Sequence, residues 1–429
     1  MRAQSAMPVP VMSPAEAAAA VLISRAGVLH RVSGGDLAEC FAAVPDPRRR
    51  RGIRHPLPVI LGLAVAAVLA GCVTLSDITA WISGAPAELL AALDARPGAA
   101  GRRPHPDTVE RVFALLGAQG LADHAGAYLM ARAGTGPVTF PVAGPVLLPA
   151  AAIDGKAVRG AIGPDGLIPY LLAAATHGDA VVIAERLIGP KTNEVPEFQP
   201  LLRGLDLAGW VLTMDAGHTV RAHATFTCEE LLAHYVMTVK GNTPKLLDTI
   251  DGLDWASVPV SHQVTETGHG RTEKRTIQVT DAPGHIREMF PHAAQVFLIE
   301  RYVTRKVRKR KKNSRRYKTA EVRTAVAVLG ITSLSAREAA PEHLAAYVRG
   351  HWAIENKIHW VRDVTFREDS SQIRTGSRPR IMATLRNLAI GLIRQAGYTK
   401  IAATIRRIRH DPRLLMTILD LHPNPENAS

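Results

Sequence analysis

Five short apolar runs between about residues 145 and 240 constrain this chain most: VLLPAAAID, IPYLLAAATH, AVVIAERLI, WVLTMD and HYVMTVK. Each holds β-branched residues, and turn signals such as Asp154-Gly155 and Asp165-Gly166 punctuate them, so each reads as a strand. Between the fourth and fifth, ATFTCEELLAH has helical spacing. Three strands in hairpin succession, then strand–helix–strand, predict a mixed α/β sheet.

The flanks read differently. Residues 1–140 are Ala/Leu-rich with helical spacing, broken at GAPAE and at ARPGAAGRRPHP. After the second break Asp107 is the expected N-cap, with Glu110 three residues on. Val109, Val112, Phe113 and Leu116 share the apolar face of the helix it opens. Strand-like runs return between 245 and 335 (SHQVTE, RTIQVT, AQVFLIE, TAVAVLG), and helical periodicity resumes near Pro341. The expected division is an all-helical N-terminal domain over 1–140, an α/β domain over 141–400 with a β-rich insertion at about 245–335, and a C-terminal tail over 401–429.

Two of the five runs end in an aspartate, Asp154 and Asp215. Residues just past the carboxyl ends of strands line the functional crevice of an open α/β sheet, so the two can converge. Paired carboxylates suit Mg²⁺, which keeps much of its shell for water and phosphate. The plainer readings are a turn at Asp154-Gly155 and a helix N-cap at Asp215. A third carboxylate lies in YVRGHWAIENKIHWVRD, where Tyr347, Ile354, Ile358 and Val361 form an apolar stripe. Glu355 flanks that stripe on the face of His351, His359 and Arg362. It either completes a metal site or makes an i,i+4 pair with one of the histidines.

Charge narrows the partner. The 429 residues carry 52 Lys+Arg against 38 Asp+Glu, a net +14, and a pI near 10.0, which points to nucleic acid or an anionic membrane surface. Leu57–Leu75 is uncharged and close to the ~20 residues of a bilayer span. Its Ala/Gly content, and its being the one such segment, favour a buried helix, with a membrane-associated basic protein as the alternative. Ala17–Ile23 is too brief and too weakly flanked by basic residues for a signal peptide, so a cytoplasmic, nucleoid-associated protein is expected. Three scattered cysteines and the lack of a His-Glu-x-x-His pattern exclude a disulfide framework and the familiar zinc sites. Arg301–Lys318, RYVTRKVRKRKKNSRRYK, places eleven Lys/Arg in eighteen positions. It reads as a phosphate-backbone contact, or else as a solvated loop. Arg48–Arg51, Arg54, Arg102, Arg103 and Arg111 mark the N-terminal helices either as a DNA-docking module or as a cap with solvated arginines.

Taken in order, AIDGKAVRG, KTNEVPEFQPLL, VLTMDAGHTV, YVMTVKGNTPKL, GHGRTEKR and RGHWAIENKIHWVRDVTFREDSS resemble the ISAs1 family of insertion-sequence transposases, and VPDPRRRRGIRHPL resembles its associated N-terminal region. The similarity runs from about Asp46 to Gln395. It implies an RNase H-like catalytic core interrupted by the β-rich insertion, with Asp154, Asp215 and Glu355 as the metal-binding triad. Two Mg²⁺ ions (Mn²⁺ substituting), about 3.5–4 Å apart, would serve in-line phosphodiester displacement without a covalent protein–DNA intermediate. The implied partner is double-stranded DNA, both element ends and target, held by a homodimer or larger assembly on paired ends. Asn356, His359 and Asp363 match the family pattern without an assigned role. In the related IS4-type signature the Arg slot falls on His351 and the Lys slot on Arg362, with Tyr347 and Arg349 out of register. DNA contacts are expected from Arg48, Arg49, Arg50, Arg51, Arg54, Lys156, Arg159, Lys240, Arg308, Lys309, Arg310, Lys311, Lys312, Arg349 and Arg362. The competing reading is a catalytically inactive, transposase-derived DNA-binding protein.

Overall fold

The computed structural model describes residues 37–51, 53–93, 102–133, 147–163, 166–189, 192–268, 270–310 and 317–421. Among the described residues six helices come first: α1 Leu37–Ala42, α2 Leu57–Leu69, α3 Leu75–Ser83, α4 Ala87–Leu93, α5 Pro106–Leu115 and α6 Ala118–Arg132. The long apolar run resolves into α2, whose 13 residues are buried in protein save Pro58. It stops at Gly71, whose φ of +89° suits glycine. Thr74 then starts α3 by a capping box with Asp77. Thirteen residues span about 20 Å, short of a bilayer core of about 30 Å. Among the described residues no helix is long and apolar enough to cross a membrane.

Helix α5 begins two residues earlier than the sequence pattern indicates. His105 is its N-cap, accepting from the Asp107 N–H, and Asp107 sits in the first turn. Pro106 decides this, because proline is preorganised for the first helical position. The apolar face is as expected, with Val109, Val112, Phe113 and Leu116 all buried.

The strands are β1 Ala150–Ala157, β2 Tyr170–Thr176, β3 Val182–Ile188, β4 Val211–Met214, β5 His234–Val239, β6 His262–Gly268, β7 Arg271–Asp281, β8 Gln295–Arg310 and β9 Tyr317–Thr332. They form one sheet in the order β3-β2-β1-β4-β5-β9-β8-β7-β6. β1, β2 and β3 are antiparallel neighbours, while β4 runs parallel to β1 and β5 parallel to β4. This is the mixed sheet of an RNase H-like core. The β-rich segment extends the same sheet, since β9 pairs antiparallel with β5 from Val236↔Thr332 to Val239↔Leu329. β8 and β9 pair from Gln295↔Thr332 out to Arg310↔Tyr317.

A bent helix follows: α7 Pro341–Ala353, a π-helical turn Ile354–His359, and α8 Trp360–Val364. Helix α9 Arg378–Gln395 packs against α2 and α6. The period-2 alternation of β1 splits its residues between two faces. Ala151 and Ile153 join α2, α6 and α9 in the large core. Ala150 and Ala152 face the other way, onto Leu344 and Tyr347 of α7 and onto Ile354 and Ile358. The N-terminal helices thus share one apolar core with the sheet.

The expected tail is corrected. Residues Ile401–Ile408 and Pro412–Ile418 form helices α10 and α11. Ile401, Ile405 and Ile408 make a helical stripe that enters the large core together with Leu414, Leu415 and Ile418. Arg409 ties this end to the N-terminal helices by donating to the carbonyl oxygens of Ala70 (2.8 Å) and Gly71 (3.2 Å).

Candidate active site

Strand register brings the two aspartates side by side. β1 and β4 are parallel with Ile153 opposite Met214, so Asp154 and Asp215 follow at matching positions on adjacent strands. Asp154-Gly155 is no turn: both residues lie within β1 and pair with Ala173 and Leu172 of β2. By alternation Asp154 emerges on the face of Ala150 and Ala152, beneath the bent helix. Asp215 does act as a cap, its Oδ1 accepting the Gly217 N–H at 2.9 Å.

The π-helical turn supplies the third carboxylate and a fourth group. Its wider turn carries Glu355 and His359 past the same point, and such turns are frequent at functional sites. His359 Nδ1 lies 3.0 Å from Glu355 Oε2 and 3.6 Å from Asp154 Oδ2. Ligand atoms of Asp154, Glu355 and His359 all fall within 4.8 Å of one another. Asp215 stands outside that set, on the neighbouring strand end. Of the two readings of Glu355, the i,i+4 pair with His359 forms, and it forms facing Asp154. His351 instead turns to Thr213.

Electrostatics mark the same spot. Burial pushes the Asp154 carboxyl up to about 6, with the charges of Glu194 and Asp215 adding to the rise and His359 opposing it. The hydrogen bond from His359 holds Glu355 below its ordinary value. Sequence reasoning missed Glu194, which stands in the KTNEVPEF run. Its Oε2 is 2.7 Å from His218 Nε2. Burial and Glu194 together push Tyr170 up to about 12. Gly155 gives these groups room, since a Cβ there would collide with the Glu194 carboxylate and the Tyr170 ring. Sequence reasoning matched His359 to the family pattern but assigned it no role. Its i+4 distance from Glu355 was the available signal.

Behind the carboxylates, Thr213 Oγ1 sits 2.8 Å from His177 Nε2 and 3.2 Å from His351 Nδ1. Burial drives His177 down to about 3 and also lowers His351, so this chain of contacts is neutral.

Several expected DNA contacts are placed elsewhere. Arg362 is 1% exposed. Its Nε donates to Glu368 Oε2 (2.9 Å) and its Nη1 to Glu185 Oε2 (3.1 Å). Arg386 Nη1 donates to Glu368 Oε1 (2.8 Å) and Asn387 Nδ2 to Glu185 Oε2 (2.7 Å). A guanidinium closed inside such a network cannot reach a phosphate. Lys156 is also buried, as its position in β1 beside Asp154 dictates, and its Nζ lies 2.7 Å from both carboxylate oxygens of Asp363 on α8. Arg349 is exposed but bidentate with Glu266 of β6, at 2.8 and 2.9 Å. Arg48 is held by Asp46 and the His55 carbonyl. Arg49, Arg50, Arg51, Arg54, Arg159 and Lys240 have exposed side chains. The basic run lies on paired strands as far as Arg310, so Arg308, Lys309 and Arg310 continue β8, while Lys311 and Lys312 lie outside the described residues.

Two family models match the chain. Residues 152–392 match the family described as "Transposase DDE domain", and residues 38–129 match the "DDE_Tnp_1-associated" region. Over 370 residues the chain is 26% identical to "Putative transposase YncI" of Escherichia coli O157:H7, covering 83% of this chain and 87% of that one. It is 26% identical over 255 residues to "H repeat-associated putative transposase YhhI" of Escherichia coli K12, covering 56% and 63% respectively. A solved piggyBac transposase synaptic complex with hairpin DNA aligns with 90% of this chain and 81% of that one, at 12% identity and a TM-score of 0.41. With the sheet order, the strand-end aspartates and a domain match over more than half its length, this chain belongs to the DDE-domain transposase family.

Proposed function

We propose that this transposase catalyses divalent-metal-dependent DNA strand cleavage and strand transfer at the ends of an insertion sequence. The observation that carries the reading is the convergence of Asp154, Glu355 and His359 on one point, with Asp215 at the matching position of the next strand. The donor set fits a divalent cation: two carboxylates and an imidazole already face one another, and Asp154 is buried where an uncompensated charge is unfavourable. Asp154, Asp215 and Glu355 would hold Mg²⁺, with Mn²⁺ able to replace it. When bound, the ions supply Lewis-acid stabilisation to the attacking and leaving oxygens of an in-line displacement.

The chain's own residues do the positioning. β1 and β4 fix the two aspartates by register, and His359 orients Glu355 through their 3.0 Å contact. Lys156 and Asp363 clamp the bent helix to β1. The exposed arginines near residues 49–54, the outer ends of β8 and β9, and the basic run Arg308–Lys312 would take phosphates of double-stranded DNA, element end and target alike. Two subunits on paired ends would bring two such sites to one target, in a cytoplasmic, nucleoid-associated complex. The test is Asp154→Asn, Asp215→Asn and Glu355→Gln in the full chain, assayed on DNA carrying the element ends with Mg²⁺ or Mn²⁺. Each should abolish cleavage while keeping DNA binding. Full cleavage by any one of them removes that residue from the triad.

A further inference from the structure

The face of the bent helix beside Glu355 leaves two tryptophans uncovered. Trp352 is 61% exposed and Trp360 56%. They are eight residues apart, with Asn356 between them donating to the Trp352 carbonyl at 2.9 Å. Next to Trp360 opens a cavity of about 390 Å³. Asn356, Lys357, Trp360, Arg394, Lys400 and Arg406 line it, together with the first turn of α10. Arg394 is committed to the fold, donating to the Ala180 and Lys357 carbonyls. Lys357, Lys400 and Arg406 carry exposed side chains. Asn356 and Lys357 are the next two residues after Glu355, and Trp360 directly follows His359.

We infer that this cavity is a subsite for an unpaired nucleotide of the DNA strand leaving the active site, with Trp360 stacking its base and Lys357, Lys400 and Arg406 taking its phosphates. The volume falls in the range of pockets that enclose a small ligand, roughly 300–1,000 Å³. An open indole beside exposed cations is the pairing that single-stranded nucleic acid uses, because every base has a π-face and every linkage a negative charge. Duplex DNA does not satisfy it, since its base faces are already stacked on one another and reach a side chain only when a nucleotide is unpaired. The inference rests on the transposase reading for the identity of the strand as DNA.

The experiment compares the full-length protein on a blunt duplex and on the same duplex carrying a short oligothymidine extension, by fluorescence anisotropy without divalent metal. The unaltered protein should prefer the extended duplex. Trp360→Ala should weaken binding to the extended duplex about tenfold, the scale of one base–aromatic stack, and leave the blunt duplex unchanged. Trp360→Phe should retain the preference, and Lys400→Gln with Arg406→Gln should lower both the preference and its salt dependence. Trp360 is exposed, so its truncation does not threaten the core. Equal binding of the two duplexes by the unaltered protein would overturn the subsite. So would an equal loss on both duplexes in Trp360→Ala, or a change in that variant's oligomeric state in place of DNA affinity. A preserved preference for the extended duplex without any metal-dependent cleavage would instead overturn the transposase reading and leave the subsite standing.

Discussion

Arg362→Met tests the buried network that anchors the bent helix. In the native protein two arginines and two glutamates close on one another: Arg362 with Glu185 and Glu368, and Arg386 with Glu368. Glu368 is 0% exposed. Methionine keeps most of the volume but leaves two carboxylates facing one guanidinium. Removing one partner of a buried pair costs about 3–5 kcal/mol, because the remaining charge is uncompensated. That lowers the folding equilibrium constant by about two to four orders of magnitude. Adding Glu185→Gln restores one charge of each sign and should recover about 1–2 kcal/mol, since residues in one network couple rather than add. Urea denaturation of the full chain, followed by circular dichroism, reads both effects.

The same variant has a pH signature. Burial alone would raise Glu368, but Arg362 and Arg386 outweigh it and hold the group below its ordinary value. A depressed carboxyl stabilises the fold above its unfolded pKa of about 4.3, and that stability is lost as pH falls through the folded value. In Arg362→Met the uncompensated carboxylate takes up its proton earlier, so the gap between variant and parent should narrow as pH falls from neutral. A loss under about 1 kcal/mol at neutral pH, with no recovery on adding Glu185→Gln, would refute the closed network.

Three further outcomes are expected. His177 is held neutral down to about pH 3 by burial, so the unfolded chain binds its proton first and stability should fall as pH drops from about 6.5 toward that value; His177→Asn should flatten this slope in pH-dependent thermal unfolding. Neutralising Arg308–Lys312 should weaken binding to every DNA sequence alike and reduce the log–log salt slope by about 0.9 per lost phosphate contact, whereas a loss confined to the element ends would mean base reading. Mixing Glu355→Gln with a protein neutralised at Arg49–Arg51 and Arg54 should recover partial cleavage if one subunit binds an end that the other cuts, and a mixture as inactive as either parent would argue for cleavage in cis.

Local pattern determined much of this protein. Short apolar runs marked β1 to β5, because a strand half-buried between two layers needs alternating or continuous apolar residues and little else. Aspartates ending two such runs marked the candidate site, and the stripe Tyr347–Ile354–Ile358–Val361 placed Glu355 on a helix. Tertiary structure alone decided three things. Register made Asp154 and Asp215 neighbours, since hydrogen-bond pairing between strands 61 positions apart leaves no local trace. The π-helical turn aimed His359 at Asp154, an offset that the i,i+4 spacing does not reveal. Burial took Arg362 and Lys156 out of contact with DNA, because a charge reads as exposed in sequence until its partners, Glu185, Glu368 and Asp363, arrive from other elements of the fold. Composition reports that a cation is present; only packing decides whether it meets solvent or a carboxylate.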